Sequence, residues 1–338
     1  MPVEPQSSPI RAEKHRKKIP WSLLLQIVVT ISIFVWLFHK TNWTALEQRF
    51  LEIRIPWFLL AVLAYAVNLS VSSIRWGVII RAAKKHAPAA WLLRLNWVGA
   101  YFNQVLPGSV SGDVLRAWYT RPQTGSATLA LAVVFADRFI GMGALVGIAL
   151  LGYLLSGHAL HRLPGMGETV AILSAGYVVI ITLILSPGLG FLEDRLGKLG
   201  NKLRDIRAGM GMLLRNPTAL AATVLLSIFV QVCSIFMFWA LSHSLGERPD
   251  AVALWVVWPV VSLFLALPIS LAGWGLREGL LVLYLGALQM GHDQALALSL
   301  LSGTTVLLAS LPGAWLWLGI HRHPLAQRGH VGDAGTLQ

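Results

Sequence analysis

The sequence is poor in charged residues and in cysteine. Only 12% of its 338 residues are charged, about half of the share in an ordinary soluble domain. Cys233 is the single cysteine and lies within an apolar run, which excludes a disulfide framework and a cysteine-based zinc cluster. None of the ten histidines stands at metal-ligand spacing from a second histidine and a carboxylate on one helix face. We therefore expect no metal and no cofactor.

The sequence is instead rich in long apolar runs. Hydrophobic residues make up 56% of the chain and are gathered into nine apolar runs. The longer runs reach the roughly 20 residues that a membrane-crossing helix needs. The pattern predicts an all-α, polytopic membrane protein. The runs cover residues 19–38, 56–80, 92–106, 127–155, 169–185, 219–241, 251–267, 280–290 and 295–320.

The distribution of Lys and Arg shows that some of these runs do not cross. The basic tail at residues 1–19 precedes the first run, and no small-residue cleavage site follows it, so we expect a retained helix with a cytoplasmic N-terminus. If every run crossed, the strongly basic segment 191–215 would face outside, against the preference of Lys and Arg for cytoplasmic loops. The conflict disappears if runs 92–106 and 251–267 turn back within the membrane.

Two similar motifs stand where the chain would turn back. The segment "LPGSVSGDVLR" at 106–116 and the segment "LPISLAGWGLR" at 267–277 share Leu, Pro, Ser, Gly, Leu and Arg in register. Proline and glycine interrupt a helix at these points, and the apolar runs that follow are too short to span a bilayer. The motifs therefore predict the tips of two re-entrant helical hairpins.

The resulting architecture is one integral membrane domain with six full transmembrane helices and two re-entrant hairpins. Helix, helix, hairpin and helix follow one another twice, in a first repeat at residues 20–155 and a second at 168–320, with a C-terminal tail at 321–338. The first repeat starts inside and the second outside, so the repeat is inverted and both termini are cytoplasmic. Such repeats are a recurrent plan of membrane transporters. The net charge of +12 then indicates orientation and contact with anionic lipids rather than nucleic-acid binding.

Ionisable residues at membrane depth are costly and by default functional. Asp113 and Arg116 are three apart and can share a helix face. Asp137 with Arg138, and Arg277 with Glu278, are adjacent and point about 100° apart on a helix, so each is expected to find its partner elsewhere. The pairs Asp113 with Arg277 and Arg138 with Glu278 would join the two repeats. The alternative is a buried ion network with a purely structural role. Arg75 is expected to snorkel to the cytoplasmic interface.

The hairpin tips also suggest an anion site. A helix that restarts at Gly112 or Gly275 would aim unpaired N–H groups at a central cavity, with Arg116 or Arg277 close behind. Such a site suits phosphate, and a lipid phosphate is the natural candidate in a bilayer. The alternative is that both segments are only tight hairpin tips.

At these motifs the chain resembles the lysylphosphatidylglycerol synthase transmembrane-region family, also described as flippase-like. The family's first signature is similar to "NQVLPGSVSGDVLRAW", its middle element to the acid-Arg-x-x-Gly segment that ends at Gly141, and its closing element to the second motif, although Trp274 stands where a smaller residue is usual. The residues that carry the resemblance, and that it implies as the lipid-binding site, are Asn103, Pro107, Gly112, Asp113, Arg116, Asp137, Arg138, Pro268, Gly273, Gly275, Arg277 and Glu278.

The resemblance implies movement or handling of an anionic, polyprenyl or aminoacylated lipid in the bacterial inner membrane, with membrane lipids as partners. The tail after Ile320 is too short for a soluble aminoacyl-transfer domain, so we do not expect an enzyme. Two alternatives stay open: a membrane glycosyltransferase-like enzyme acting on a lipid-linked substrate, and a structural partner of a lipid synthesis complex, for example for hopanoids. Homo-oligomerisation is also left open.

Overall fold

The computed structural model describes residues 21–106, 110–156, 163, 165–186, 195, 197–267 and 269–322. Within these residues the chain forms thirteen α-helices and one 3₁₀ turn, Leu271–Gly273, and no strand. The helices are α1 Trp21–His39, α2 Trp43–Leu51, α3 Ile55–Ala82, α4 Ala89–Val105, α5 Ser111–Thr124, α6 Ala127–Leu155, α7 Met166–Leu185, α8 Lys198–Leu214, α9 Pro217–Ser244, α10 Ala251–Leu265, α11 Leu276–Ala287, α12 His292–Ser310 and α13 Pro312–Arg322.

The predicted long spans form helices of membrane-crossing length. Five helical stretches are long and apolar enough to cross, namely α3, α6, α7, α9 and the stretch from α12 into α13, and α1 with α2 gives a sixth that bends by 94°. Their starts follow capping rules, because the side chains of Ser126 and Asn216 accept N–H bonds at the starts of α6 and α9. Proline stands in the first turn of α3 and α9, where its missing N–H costs nothing.

The two predicted hairpins are pairs of shorter helices packed on each other. Helices α4 and α5 have 17 and 14 residues, and α10 and α11 have 15 and 12. At 1.5 Å per residue these arms are about 18 to 26 Å long, shorter than the roughly 30 Å hydrocarbon core. The first arm of each pair contacts the second. Pro107 and Pro268, which mark the two tips in the sequence, lie outside the described residues.

The basic segment at residues 191–215, which lies within the second predicted repeat, contains a helix that the sequence interpretation treated as a loop. Its C-terminal part forms α8, which packs against α6 where Gly209 lies next to Ala132. Met210 and Leu213 are buried in this contact. The segment is therefore amphipathic, with an apolar face on the first repeat.

The two predicted repeats pack on each other in a reciprocal pattern. Helices α3 and α9, the second long helix of each repeat, pack side by side, and the Asn68 side chain donates to the Val230 carbonyl across the contact at 2.7 Å. The first arm of each hairpin packs against the last helix of the other repeat: α10 on α6, and α4 on α12 and α13. This reciprocity is what two units related by a two-fold axis produce.

At one end of the molecule α2 joins the repeats. Arg49 on α2 forms an ion pair with Glu247, and the Asn42 N–H donates to Asp293 at 3.2 Å. The Arg54 N–H donates to the Ser244 carbonyl at 2.8 Å. This helix therefore ties the first repeat to the ends of α9 and α12.

Candidate functional site

The first hairpin closes around two facing glycines. Gly99 on α4 lies against Gly112 on α5, and a Cβ on Gly112 would overlap the Gly99 carbonyl. The Asn103 side chain accepts a hydrogen bond from the Gly112 N–H at 2.7 Å. The glycine pair allows the two arms to approach, and Asn103 then fixes the start of α5 on the end of α4.

Below this tip, five charged side chains form one network, which we call the arginine–aspartate cluster. It joins α3, α5 and α6. Arg75 donates to Asp137 at 2.7 Å, and Arg116 bridges Asp137 and Asp113 at 3.2 Å each. Arg138 donates from Nε and Nη2 to the two oxygens of Asp113 at 2.6 and 3.0 Å. The cluster thus alternates Arg, Asp, Arg, Asp, Arg.

Four of the five members are buried, and their surroundings are shaped to hold guanidinium groups. The plane of Arg116 lies over the Trp76 ring, 4.2 Å from its centroid. Arg75 donates a further bond to Ser227 on α9 at 3.1 Å and lies against Gly141, where a Cβ would be 3.2 Å from Nη1. Cation–π contact and glycine-made space let bulky charged groups pack between helices. Arg138 differs, because 49% of its side chain is exposed.

The second hairpin holds a separate group, the Arg277–Glu278 pair. Arg277 donates to Glu278 Oε1 from Nε at 3.0 Å and from Nη2 at 2.9 Å, and Ser299 on α12 donates to the same oxygen at 3.3 Å. The other carboxylate oxygen accepts the Gly275 N–H at 2.6 Å. A Cβ on Gly303 of α12 would overlap the Arg277 guanidinium, which also lies over the Trp274 ring. The pair is electrically balanced and enclosed.

The second tip has an irregular backbone that is held by α1. Ala272, Gly273 and Gly275 all have positive φ angles, of 50°, 82° and 82°. Thr30 Oγ1 accepts the Leu271 N–H at 3.1 Å and donates to the Trp274 carbonyl at 3.3 Å. Only 3.2 Å separates the position of a Gly275 Cβ from the Thr30 carbonyl. Glycine is needed here both for conformation and for space.

The structure corrects several of the predicted roles. Asp113 contacts Arg116, as predicted, and Asp137 and Arg138 do find partners outside their own pair. The predicted pairs of Asp113 with Arg277 and of Arg138 with Glu278 do not form: Asp113 binds Arg138, and the adjacent Arg277 and Glu278 bind each other. The expectation that Arg277 and Glu278 would find partners elsewhere was wrong, because the Arg277 side chain is long enough to fold back onto Glu278.

Two further expectations fail at the tips and in α3. The N–H groups of Gly112 and Gly275, expected to face a cavity unpaired, are satisfied by Asn103 and Glu278. Arg75 does not snorkel to the interface but is 6% exposed and paired with Asp137. The sequence did contain a signal for this pair. Arg75 and Asp137 both lie within predicted spans, and a buried aspartate needs a cationic partner.

The site therefore consists of two clusters rather than one. The predicted residues Asn103, Gly112, Asp113, Arg116, Asp137 and Arg138 come together at the first hairpin, and Gly273, Gly275, Arg277 and Glu278 at the second. The 3₁₀ turn of the second tip contacts α4, so the two hairpins touch. In the part of the chain that the structure covers, no group of three or more His, Cys, Asp or Glu residues could hold a metal ion.

Two comparisons with known proteins bear on this arrangement. A family model described as "Lysylphosphatidylglycerol synthase TM region" matches residues 23–313, which include both hairpins and both clusters. A UPF0104 membrane protein of Methanothermobacter thermautotrophicus is 22% identical over 282 residues, which cover 74% of this chain and 80% of the relative. The similarity therefore extends over the membrane helices as a whole.

Proposed function

The chain belongs to the family of lysylphosphatidylglycerol synthase TM regions, and from that premise we propose that it is a flippase-like transporter of an anionic lipid. It binds the lipid headgroup inside the membrane and carries it between the leaflets. We further propose that it works in the bacterial inner membrane with both termini in the cytoplasm, as the Lys and Arg distribution predicts.

The arginine–aspartate cluster is the observation that carries this proposal. Asp137 and Arg138 come ten and eleven residues after the start of the 29-residue span α6, about 15 Å along the helix. A structural network needs balanced and enclosed charges, as in the Arg277–Glu278 pair. This cluster instead has three arginines for two aspartates, and Arg138 is half exposed. An accessible excess of positive charge at this depth favours an anionic ligand.

The reciprocal packing of the repeats supports movement rather than binding alone. Each hairpin packs with its first arm on the last helix of the other repeat, so rocking of one repeat against the other shifts both hairpins in opposite senses. Inverted repeats use this exchange to open a central site to each side in turn. The Thr30 bonds to the second tip and the α2 bridge are contacts that such a motion would alter.

The enzymatic alternative has less support. A glycosyltransferase-like reaction on a lipid-linked substrate would need an acid held in a cleft at the outer membrane face. In the first outer segment the carboxylates are Glu47 and Glu52, and both lie exposed on the surface of α2 or at its end. The buried carboxylates of the two clusters are already bound by arginines.

Reconstitution tests the proposal directly. The purified full chain is placed in liposomes that contain a trace of a lipid labelled on its acyl chain, and an impermeant quencher reports the fraction exposed outside. The panel contains phosphatidylglycerol, lysyl-phosphatidylglycerol, a polyprenyl phosphate and phosphatidylcholine. We expect faster exchange of at least one anionic lipid than in protein-free liposomes, and no acceleration for phosphatidylcholine. Equal rates with and without protein for every lipid would reject transport and favour a structural partner of a lipid synthesis complex.

A further inference from the structure

The two hairpins differ in how their second arms are covered. Helix α1, the first helix of the first repeat, contacts the start of α11 in the second hairpin. The Thr30 carbonyl of α1 lies 3.2 Å from the position of a Gly275 Cβ, and the Ile33 side chain lies 3.4 Å from that of a Gly279 Cβ. The glycines of α11 therefore give room to the larger residues of α1.

The corresponding face of α5, in the first hairpin, is open. The two motifs align position by position, so Val114 and Trp118 of α5 are the counterparts of Gly275 and Gly279. Val114 is 56% exposed and Trp118 is 60% exposed. Because they are four residues apart, they are neighbours on the helix surface. These two residues, which we call the α5 face, are large where the covered face of α11 is small.

Helix α7 is the counterpart of α1, because each is the first helix of its repeat. It packs on α6 and α8. Ala175 comes nine residues after the start of α7, as Thr30 comes nine residues after the start of α1. Ala171, Ala175 and Gly176 are exposed, and a Cβ on Gly176 would meet nothing within 4 Å. The middle of α7 thus presents small residues outward.

On the basis of the proposed function, we infer that α1 and α7 are paired covers of the two hairpins and that they alternate. In the structure α1 covers the second hairpin while the α5 face is open. In the opposite state α7 docks on the α5 face and α1 leaves α11. Inverted repeats exchange the roles of their halves in this way. The residue sizes are complementary, since the large residues of the α5 face would meet the small residues of α7.

The charged groups follow the same difference between the hairpins. The side chain of Arg277, in the covered hairpin, is 6% exposed. The side chain of Arg138, which binds Asp113 of the open hairpin, is 49% exposed. One closed side and one open side are what alternating access requires of a single state.

The contacts that hold α1 can be broken at low cost. Thr30 Oγ1 makes the two hydrogen bonds to the second tip, and Ile33 rests on glycines, so no side chains interlock. The Arg49–Glu247 ion pair that holds the adjoining α2 is partly exposed, and such pairs contribute little stability. Much of α1 faces outward, including Leu25 and Val35. An element with few buried contacts is among the first to open.

Disulfide trapping in the full chain tests the inference, with Cys233→Ser as the background. Ile33→Cys/Gly279→Cys joins α1 to α11 in the observed state, because the two positions are close enough for a disulfide. Val114→Cys/Ala175→Cys joins the α5 face to α7 in the opposite state. The control pair is Ala175→Cys/Leu283→Cys, which uses an equally exposed residue on the second arm of the other hairpin.

We expect oxidation to join both test pairs within one chain and to leave the control pair largely unjoined. Each joined protein should exchange acyl-labelled phosphatidylglycerol in proteoliposomes at the rate of protein-free liposomes, and reduction should restore exchange. The single-cysteine variants should exchange normally with and without oxidant, which excludes an effect of the substitutions themselves.

Two results would overturn the inference. One is joining of Val114→Cys/Ala175→Cys no faster than the control pair, or only between two copies of the chain. The other is full lipid exchange by protein in which Ile33→Cys and Gly279→Cys are joined.

Failure of the inference is distinct from failure of the proposed function, because disulfide formation reports the motion without lipid exchange. Joining of both test pairs in a protein that exchanges no lipid would reject transport and keep the paired covers. Lipid exchange without joining at the α5 face would reject the paired covers alone.

Discussion

Arg138 donates two hydrogen bonds to Asp113, 25 positions away on another helix, although Asp137 precedes it directly in the chain. Asp137 instead binds Arg75 and Arg116. Two adjacent charges on α6 thus serve different partners, and α3, α5 and α6 are joined by ion pairs at membrane depth. The first hairpin is held in place by this arrangement.

A double-mutant cycle on Asp113 and Arg138 should reveal strong coupling. Asp113→Asn leaves three arginines around one aspartate and should lower the free energy of unfolding by about 3 to 5 kcal/mol. Arg138→Gln leaves Asp113 paired with Arg116 and should cost less. The double variant should cost less than the sum of the singles by about 0.5 to 3 kcal/mol. Reversible unfolding in mixed detergent micelles measures all four species.

The matched control pairs Asp113 with Arg277, which belong to different clusters. Their single costs should add within about 0.5 kcal/mol. Coupling between Asp113 and Arg277 that exceeds the coupling between Asp113 and Arg138 would contradict the arrangement of the two clusters.

Gly112→Ala should open the first hairpin. The added Cβ would overlap the Gly99 carbonyl, so α4 and α5 must separate and the Asn103 bond to the Gly112 N–H should weaken. We expect a loss of about 1 to 3 kcal/mol in the free energy of unfolding, the usual range for overpacking. Gly147→Ala on α6 is the control, because a Cβ there meets nothing within 4 Å. Equal stability of the two variants would show that the arms do not cross at these glycines.

Gly303→Ala should displace the Arg277 guanidinium. A Cβ at this position would occupy the space of the side chain that binds Glu278. The variant should therefore be less stable than the wild type by about 1 to 3 kcal/mol. In an Arg277→Ala background the same change should be nearly neutral, since no guanidinium remains to be moved. Thermal unfolding of the four species measures this, and an unchanged cost in the Arg277→Ala background would contradict the proposed contact.

The sequence predicted the helical framework better than the site. Apolar length and the two broken motifs predicted the long helices and the short hairpin arms, because these depend on local composition. The order of the elements also predicted the repeated arrangement. The choice of ion partners did not follow, because it depends on how each helix is rotated against its neighbours. Asp113 could have reached Arg277 or Arg138 on sequence grounds alone.

Arg75 illustrates why partners were missed. Its place near one end of α3 favoured snorkelling, and only the packing of α3 against α6 brings Asp137 within 2.7 Å. Gly141, which is also on α6, and Ser227, which is on α9, complete its surroundings. The capping of Gly275 by Glu278 was missed for a different reason: Glu278 was assigned to the ligand, although a carboxylate three residues into a helix commonly caps its start.

The membrane orientation can be tested by cysteine labelling, since Cys233→Ser removes the single native thiol. In that background, cysteine replaces Glu52 at the end of α2, Lys84 between α3 and α4, or Arg121 on α5. An impermeant maleimide should label only Glu52→Cys in intact cells, because the Lys and Arg distribution places the other two inside. All three should react after permeabilisation. Labelling of Lys84→Cys in intact cells would invert the assigned orientation.

The most direct test of the central claim, that the arginine–aspartate cluster is the site through which the lipid passes, is the transport rate of acyl-labelled phosphatidylglycerol in proteoliposomes. Wild type, Asp113→Asn/Arg138→Gln and Arg121→Gln are compared at equal protein content. We predict that the double variant, folded by its thermal unfolding profile, exchanges lipid at the rate of protein-free liposomes, while Arg121→Gln keeps the wild-type rate. Wild-type exchange by the double variant would contradict the account.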